Sequence, residues 1–570
     1  MRKFTRLFDV IITVWILGCA AVLLVYCLWS LDRGLDLTDE SYYLTAAINP
    51  DAIILWATAM HWFTSGLWQL SGSLAGFRGM GLAILAVSSV VLAFGTVRAF
   101  AMSGIGVVVR GSPILLIIAC SLAGALLYHA FVPFTPSYNL LAVSGTYMAL
   151  GLVCFTANIP RGLRFYCFQL LSGFALGIAF LAKFSSGVIA WGIVCSVVVA
   201  VLSDSFRQRL LGIGLITGGM AATVGITVIL HTTFSEALAQ FRLGALVYML
   251  GANETFPERL ARYFTETSSF LRLIFADFAI PLVLFGVYVA RPRFWIALIG
   301  LAAFIYVVVT EGYLLGGMDR YGQQTAPLVV AVILSMLATA RLWMQNIKAI
   351  YLIGVLALLP FCIAIGTYNP LHTQILFSLA PWGVLVSLLA FGIPTLPGPR
   401  HAAMLVCSLF VTIITFQVLT NGFRTPYRLY RPLQEQTEAV TIPPLGTFRV
   451  DRETRDSYIK LTQLADSCKI QQGQKFLGLY NIPGIALILQ AVPLGFPLLQ
   501  DRPSTEPILD QLRPEALKSA VVGIDLDSGS YDPGMPKQLA TFPAGYRLCG
   551  AVTLPYQKQK IELWVNQDGH

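Results

Sequence analysis

Apolar runs constrain this chain before any motif does. Windows of about 20 apolar residues, each long enough to cross roughly 30 Å of hydrocarbon as a helix, recur up to about residue 420. They fall near 9–30, 79–99, 112–133, 138–157, 165–182, 184–202, 209–230, 272–290, 294–311, 325–343, 348–367, 374–393 and 401–420, about 13 in all. Composition points the same way. Hydrophobic residues make up 56% of the 570 positions and charged residues only 12%, against about 25% charged in an ordinary soluble domain. A water-facing fold cannot hide that much apolar surface. The expected fold class is therefore an α-helical polytopic membrane protein.

The turns between runs predict its sidedness. A net charge of +9 does not point to nucleic acid, because the cations cluster in short turns rather than in a groove. With the N-terminus in the cytoplasm, the inside turns hold Arg98 and Arg110, Arg161 and Arg164, Arg207 and Arg209, Arg291 and Arg293, Arg341 and Lys348, and Arg400. Every one is basic, the pattern of cytoplasmic loops. The basic start MRKFTRLFDV precedes an apolar run to Ser30 with no small-residue cleavage site, so it reads as an uncleaved first helix rather than a signal peptide. The expected location is the inner (plasma) membrane, multi-pass, and an odd number of spans puts the C-terminus outside.

Two outer loops are long. The 31–78 loop carries apolar Ile53–Leu70 with Trp56, His61, Trp62 and Trp68. The 231–271 loop mixes apolar residues with Arg242, Glu254, Arg259 and Arg262. Both read as interfacial helices. Past residue 423 charges and prolines appear and no further span fits, which divides the chain into a membrane domain, 1–423, and a small soluble α/β domain, 424–570, outside the cytoplasm. There, 476–480, 520–527, 546–554 and 561–565 read as strands, and Ile482–Gln490 and Pro507–Leu517 as helices. Eight of ten cysteines lie in apolar runs, as small buried hydrophobes do. Cys468 and Cys549 lie in the tail, and the sequence leaves their pairing open. There is no CxxC, P-loop or dinucleotide fingerprint, and His129 and His231 stand alone at span ends without a partner at metal-ligand spacing.

The stretch with most chemistry is LTDESYYL, Leu37–Leu44, just beyond the first run, with further acids at Asp32 and Asp36. Thr38 fits an N-cap, which puts Asp39 and Glu40 in the first turn of a short helix and Tyr43 one turn after Asp39. Acids there offset the helix dipole. They also suit a general base that takes a proton from an acceptor hydroxyl. Neighbouring helical side chains point about 100° apart, so the two acids have different jobs, one on the acceptor and one on a partner cation or metal; the working hypothesis makes Asp39 the base and has Glu40 orient the acceptor or help to hold a metal.

An acidic pair with tyrosines opening the first outer loop, after a helix with a cytoplasmic N-terminus, resembles the GT-C superfamily of membrane glycosyltransferases. The likeness is to the branch of protein O-mannosyltransferases and lipid A aminoarabinose transferases. It implies transfer of a sugar from a polyprenyl-phosphate donor to a glycan, lipid or protein acceptor at the outer face, with inversion. It also leaves room for a divalent metal, Mg or Mn, with ligands unknown. Three further turns resemble family turns. FTPSYNLL places Tyr138 and Asn139 as substrate-binding residues. LAKFSSG places Lys183 in a short outer turn, although the family's Thr and Pro are missing. GGMDRYGQQTAP places Arg320 and Tyr321 before a span. By this resemblance Lys183 and Arg320 bind the donor phosphate, while Tyr43 and Tyr321 line the substrate. A hairpin turn, a snorkelling lysine and an Asp319–Arg320 surface pair are the structural alternatives. A transporter or lipid flippase shares the composition and span count, but the halves do not match and the charges sit at span ends rather than at the midplane. A non-catalytic membrane scaffold whose tail binds a partner is the third class, against which the acidic corner argues.

Overall fold

The computed structural model describes residues 2–56, 58–103, 111–157, 159–160, 162–202, 205–315, 321–392, 397–525 and 534–567. Up to Arg424 its elements are helices: α1 Arg2–Trp29, α2 Asp39–Ile48, α3 His61–Ser71, α4 Leu74–Met102, α5 Ser112–Leu126, α6 Tyr138–Phe155, α7 Leu163–Ala182, α8 Phe184–Val197, α9 Phe206–His231, α10 Phe234–Ala252, α11 Phe256–Asp277, α12 Ala279–Ala290, α13 Phe294–Thr310, α14 Tyr321–Trp343, α15 Ile347–Ala364, α16 Leu371–Gln374, α17 Ala380–Ser387 and α18 Pro397–Arg424. The chain is thus a polytopic helical membrane protein.

Ten helices among the described residues are long and apolar enough to cross a membrane, or twelve when each of two bent pairs counts as one span. Three expected windows are corrected. The 272–290 window is divided between α11 and α12, which meet at 76°, and the 374–393 window bends by 70° ahead of α17. Proline explains both bends. Pro281 has no N–H for the carbonyl of Asp277, and Pro381 has none for that of Phe377. The 294–311 window is α13, an apolar helix of 17 residues.

Small residues let the helices touch backbone to backbone. A Cβ on Gly95 of α4 would stand 2.1 Å from the Gly151 carbonyl oxygen of α6, so only glycine fits that crossing. Contacts at the helix ends sort into two sets. Arg400 pairs with Asp9 at 2.8 Å, Arg341 donates to the Ala290 carbonyl at 2.9 Å, and Asn346 donates to the Ser103 carbonyl. At the other ends the Ser30 hydroxyl meets His129 at 2.7 Å and Gln374 donates to Asn139 at 3.2 Å. Each set joins residues that the charge pattern assigns to one side. Arg110 and Arg161 lie outside the described residues.

The 31–78 loop is less helical than expected. Among the described residues of Ile53–Leu70, only the part from His61 onward is helix. The N–H groups before it go elsewhere: Ile54 donates to Gly495, Trp56 to Gln240 and Ala59 to Leu181, at 2.9–3.0 Å. The 231–271 loop forms α10 and most of α11, each started by a threonine–glutamate capping box.

Beyond α18 come β1 Glu438–Ile442, β2 Gly446–Val450, α19 Arg452–Ser467, β3 Lys475–Leu479, α20 Pro483–Ile488, β4 Val492–Pro493, α21 Arg502–Leu509, α22 Pro514–Lys518, β5 Val521–Asp525, β6 Tyr546–Thr553 and β7 Lys560–Asn566. A five-stranded sheet runs β4-β3-β5-β7-β6, parallel between β4, β3 and β5 and antiparallel beyond. All four expected strands are in it, although 526 and 527 lie outside the described residues. The β1–β2 hairpin and α19 went unread. The helix expected over Pro507–Leu517 is two, because Arg513, extended ahead of Pro514, breaks it. Cys468, at the end of α19, is bonded to Cys549 of β6.

This C-terminal unit docks on the 31–78 loop. Gly34 donates to the Arg449 carbonyl and Arg449 back to that of Asp32, both at 2.7 Å, and Gly484 donates to the Leu37 carbonyl at 2.9 Å. A Cβ on Gly484 would stand 2.6 Å from the Leu37 side chain, so α20 lies against the segment that leads into α2.

Candidate active site

The start of α2 is organised by Asp36. Thr38 occupies the N-cap position, but its side chain does not cap the helix. Its hydroxyl and its N–H both donate to Asp36 Oδ1, at 2.7 and 2.9 Å, while Glu40 N donates to Asp36 Oδ2 at 3.1 Å. Asp36 therefore does the capping that the sequence assigned to Thr38. Burial pushes the Asp36 carboxyl up to about 6; Arg428 and these donors pull it down, and Asp39 adds to the rise.

The adjacent acids part company at once. Glu40 is buried, and Arg78 grips it at two points, Nε to Oε1 and Nη2 to Oε2, each at 2.7 Å. The Thr135 hydroxyl donates to Oε1 and Asp36 N to Oε2 at 3.2 Å. Four donors leave Glu40 no face for a substrate. Arg78 also collects the carbonyls of Leu31 and Arg33 at 3.0 Å and of Gly34 at 2.8 Å, which ties the loop to the start of α4.

Asp39 is 29% exposed. Both of its contacts fall on Oδ2, which accepts a hydrogen bond from the Tyr427 hydroxyl and lies 3.3 Å from Arg428 Nη1. Among the described residues Oδ1 accepts nothing. Arg428 also donates to Thr38. Around this carboxylate stand tyrosines. Tyr43 meets Tyr138 edge-on at 5.9 Å. Burial raises the Tyr43 phenol well above its ordinary value, and the nearby Tyr138 and Asp39 charges raise it further.

Asp39, Glu40, Tyr43 and Tyr138 are thus brought together. Asn139 adjoins them, accepting from Gln374, which in turn accepts from Asn369 at 3.3 Å. That link leads to a second cluster in which Lys183, buried between α7 and α8, donates to the carbonyls of Ile363 and Ala364 at 3.0 and 3.4 Å. These are C-terminal carbonyls of α15, where a cation is favoured. In the following loop Tyr368 stacks on Tyr248 at 4.5 Å. Arg259 lies over the Tyr248 ring at 4.5 Å, and Glu254 pairs with Arg262 at 2.8 Å and Arg259 at 3.6 Å. Arg320 lies outside the described residues. Tyr321, at the start of α14, is buried, its ring edge-on to Phe131 at 4.4 Å.

Sequence reasoning missed Arg78, Tyr427 and Arg428. Arg78 carried a signal, since an arginine at the very start of an apolar run is costly and wants an acid. Tyr427 follows the last span, 388 residues after Asp39, with Arg428 next to it, and nothing local marks them.

The corner does not suit a divalent metal. Arginine already supplies the positive charge, Arg78 at Glu40 and Arg428 at Asp39. Among the described residues no three His, Cys, Asp or Glu side chains gather as a metal set.

Fold and corner together define a polytopic membrane protein with an acid–tyrosine–arginine site where its helices meet a C-terminal α/β unit. No protein-family model matches the chain, and no curated protein does. Solved structures resemble its overall course. ArnT from Cupriavidus metallidurans, in a crystal structure bound to undecaprenyl phosphate, aligns over 97% of this chain and 98% of its own, at 12% identity and a TM-score of 0.40. The oligosaccharyltransferase of Archaeoglobus fulgidus, in complex with Zn and sulfate, aligns over 88% of this chain and 68% of its own, at 13% identity and a TM-score of 0.42.

Proposed function

We propose that this chain is a membrane glycosyltransferase of the inner membrane. It moves a sugar from a polyprenyl-phosphate donor to an acceptor at the outer face, with inversion, and its N-terminus is cytoplasmic and residues 424–570 extracytoplasmic. One observation carries the reading: Asp39 has one carboxylate oxygen held by Tyr427 and Arg428 and the other open, at the rim of the spans and among tyrosines. A base needs that division, because the held oxygen fixes direction while the open one takes the proton. The resemblance of LTDESYYL to the GT-C acidic motif supplies the reaction class.

In this mechanism the acceptor hydroxyl gives its proton to Asp39 Oδ1 as its oxygen attacks the anomeric carbon. The bond from that carbon to the donor phosphate breaks, and the lipid phosphate leaves with the electron pair. Lys183, with Arg320 as the second cation, stabilises the charge that develops there. Tyr43, Tyr138 and Asn139 line the space between base and phosphate. Glu40 acts through position, since it and Arg78 hold the turn that presents Asp39. No step runs through a metal.

The test is transfer of label from radiolabelled undecaprenyl-phosphate sugars to envelope acceptors by purified protein. Wild type is expected to move label, and Asp39→Asn to fold normally and to lose about 10²–10⁴-fold in rate. Full activity in the variant removes Asp39 from the mechanism. Labelled lipid that crosses a reconstituted bilayer with no donor consumed replaces transfer by transport.

A further inference from the structure

One side of the helix bundle carries charge that the fold leaves unanswered. Arg291 and Arg293, in the turn between α12 and α13, and Arg341, near the end of α14, are all exposed. Arg341 Nη2 donates to the Ala290 carbonyl at 2.9 Å, so its guanidinium lies beside that turn and the three cations share one patch. None of them pairs with a carboxylate among the described residues. Residues 278–310 and 321–434 contain no Asp or Glu at all, and Asp9, which reaches the same side, is already paired with Arg400 at 2.8 Å. Like charges held together call for a counter-charge from outside the chain.

The neighbours of the patch narrow what that counter-charge is. α14 is among the helices long and apolar enough to cross a membrane, so the patch sits where that span ends, level with lipid head groups. On the two helices that run back from the turn, Val283 and Val287 of α12 and Trp295 and Leu298 of α13 are exposed, and a tryptophan at such an end belongs between tail and head group. A soluble anion answers the cations and leaves these apolar faces as they were. A phospholipid answers both: its phosphate takes the forked donors of arginine two at a time, and its acyl chains run along the apolar faces. Orienting a turn needs only positive charge. Guanidinium groups gathered by a backbone contact have the fixed geometry that recognition needs as well. One phosphate leaves much of the charge over; two come close to balancing it.

We infer that this patch is a binding site for an anionic phospholipid with two phosphodiester groups, of the cardiolipin type. Arg291, Arg293 and Arg341 hold its head group, and Val287 and Trp295 meet its acyl chains. Basic clusters between helix ends recognise lipids in this way. α12 has only 12 residues and follows a 76° bend, and the head group braces its free end against α14. The inference is independent of the transferase reading.

The test counts bound lipid. Full-length protein in a neutral detergent is titrated with cardiolipin, phosphatidylglycerol and phosphatidylcholine, and each complex is resolved by native mass spectrometry. One cardiolipin should bind ahead of the other two lipids. Arg291→Gln combined with Arg293→Gln, at side chains that make no hydrogen bond or ion pair among the described residues, should weaken it by about fivefold for each cation removed. Arg341→Lys, which keeps the charge and loses the fork, should weaken it as well. Arg207→Gln removes an exposed cation from another turn that the charge pattern assigns to the same side, and should leave binding unchanged. Equal uptake of the three lipids, an equal loss in Arg207→Gln, or full affinity in the double variant overturns the assignment. Displacement of the lipid by free pyrophosphate makes the patch a soluble-anion site, and a dimer that disappears in the double variant gives it to a second copy of the chain; either result ends the lipid reading.

Discussion

Glu40 and Arg78, 38 residues apart, face each other with two parallel N–H···O contacts of 2.7 Å, both side chains almost wholly buried. A pair removed from water in this way holds only while both members are present. Arg78→Met leaves Glu40 charged, buried and short of two donors, and frees three loop carbonyls as well. The expected loss is about 3–5 kcal/mol, read as a large fall in melting temperature of the purified protein. A change within about 0.5 kcal/mol would show that the pair is not what holds the loop.

Tyr427 tests orientation rather than proton transfer. Tyr427→Phe keeps the ring and removes the donor to Asp39 Oδ2. A hydrogen bond to a charged group contributes roughly 1.5–3 kcal/mol, so kcat is expected to fall about tenfold or more, with the acceptor KM little changed. Steady-state kinetics with labelled donor gives both numbers. A rise in KM alone would move Tyr427 from holding the base to binding the substrate.

Why these partners escaped the sequence is a matter of range. Hydropathy is local, and the spans were legible because every residue in a run reports on the same solvent. The bends at Pro281 and Pro381 were not, since each proline lies inside a run that is apolar throughout. LTDESYYL was visible as an acidic corner. Which of its two acids stays open depends on Arg78 and on Tyr427 and Arg428, contacts that no window of sequence contains. Lys183 was legible as an unusual lysine, but the α15 carbonyls that hold it come 180 residues later.

Asp36 makes stability depend on pH. Burial moves its carboxyl from an ordinary 3.8 up to about 6, so the folded protein favours the neutral form. The stabilisation is complete below the ordinary value and is lost as pH rises through about 6, an effect on the order of 2–3 kcal/mol. Asp36→Asn can keep the Thr38 contacts on Oδ1, gives up the Glu40 N contact on Oδ2, and should flatten the slope of melting temperature between pH 4 and 6. An unchanged slope assigns it to another group.

Reduction probes the C-terminal unit. The Cys468–Cys549 bond closes a separation of 81 residues, and such cross-links contribute typically about 2–4 kcal/mol by restricting the unfolded chain. Cys549→Ser should lower resistance of this unit to proteolysis in a way that reductant reproduces in wild type and does not deepen in the variant. If reductant leaves wild type as resistant as before, the bond does not stabilise the unit.

Asp39 and its two partners are made far apart in time. Asp39 leaves the ribosome with the first span, whereas Tyr427 and Arg428 follow only after α18. A nascent chain halted anywhere between carries the acid without the groups that aim it. The corner can therefore close only after the last span has been made.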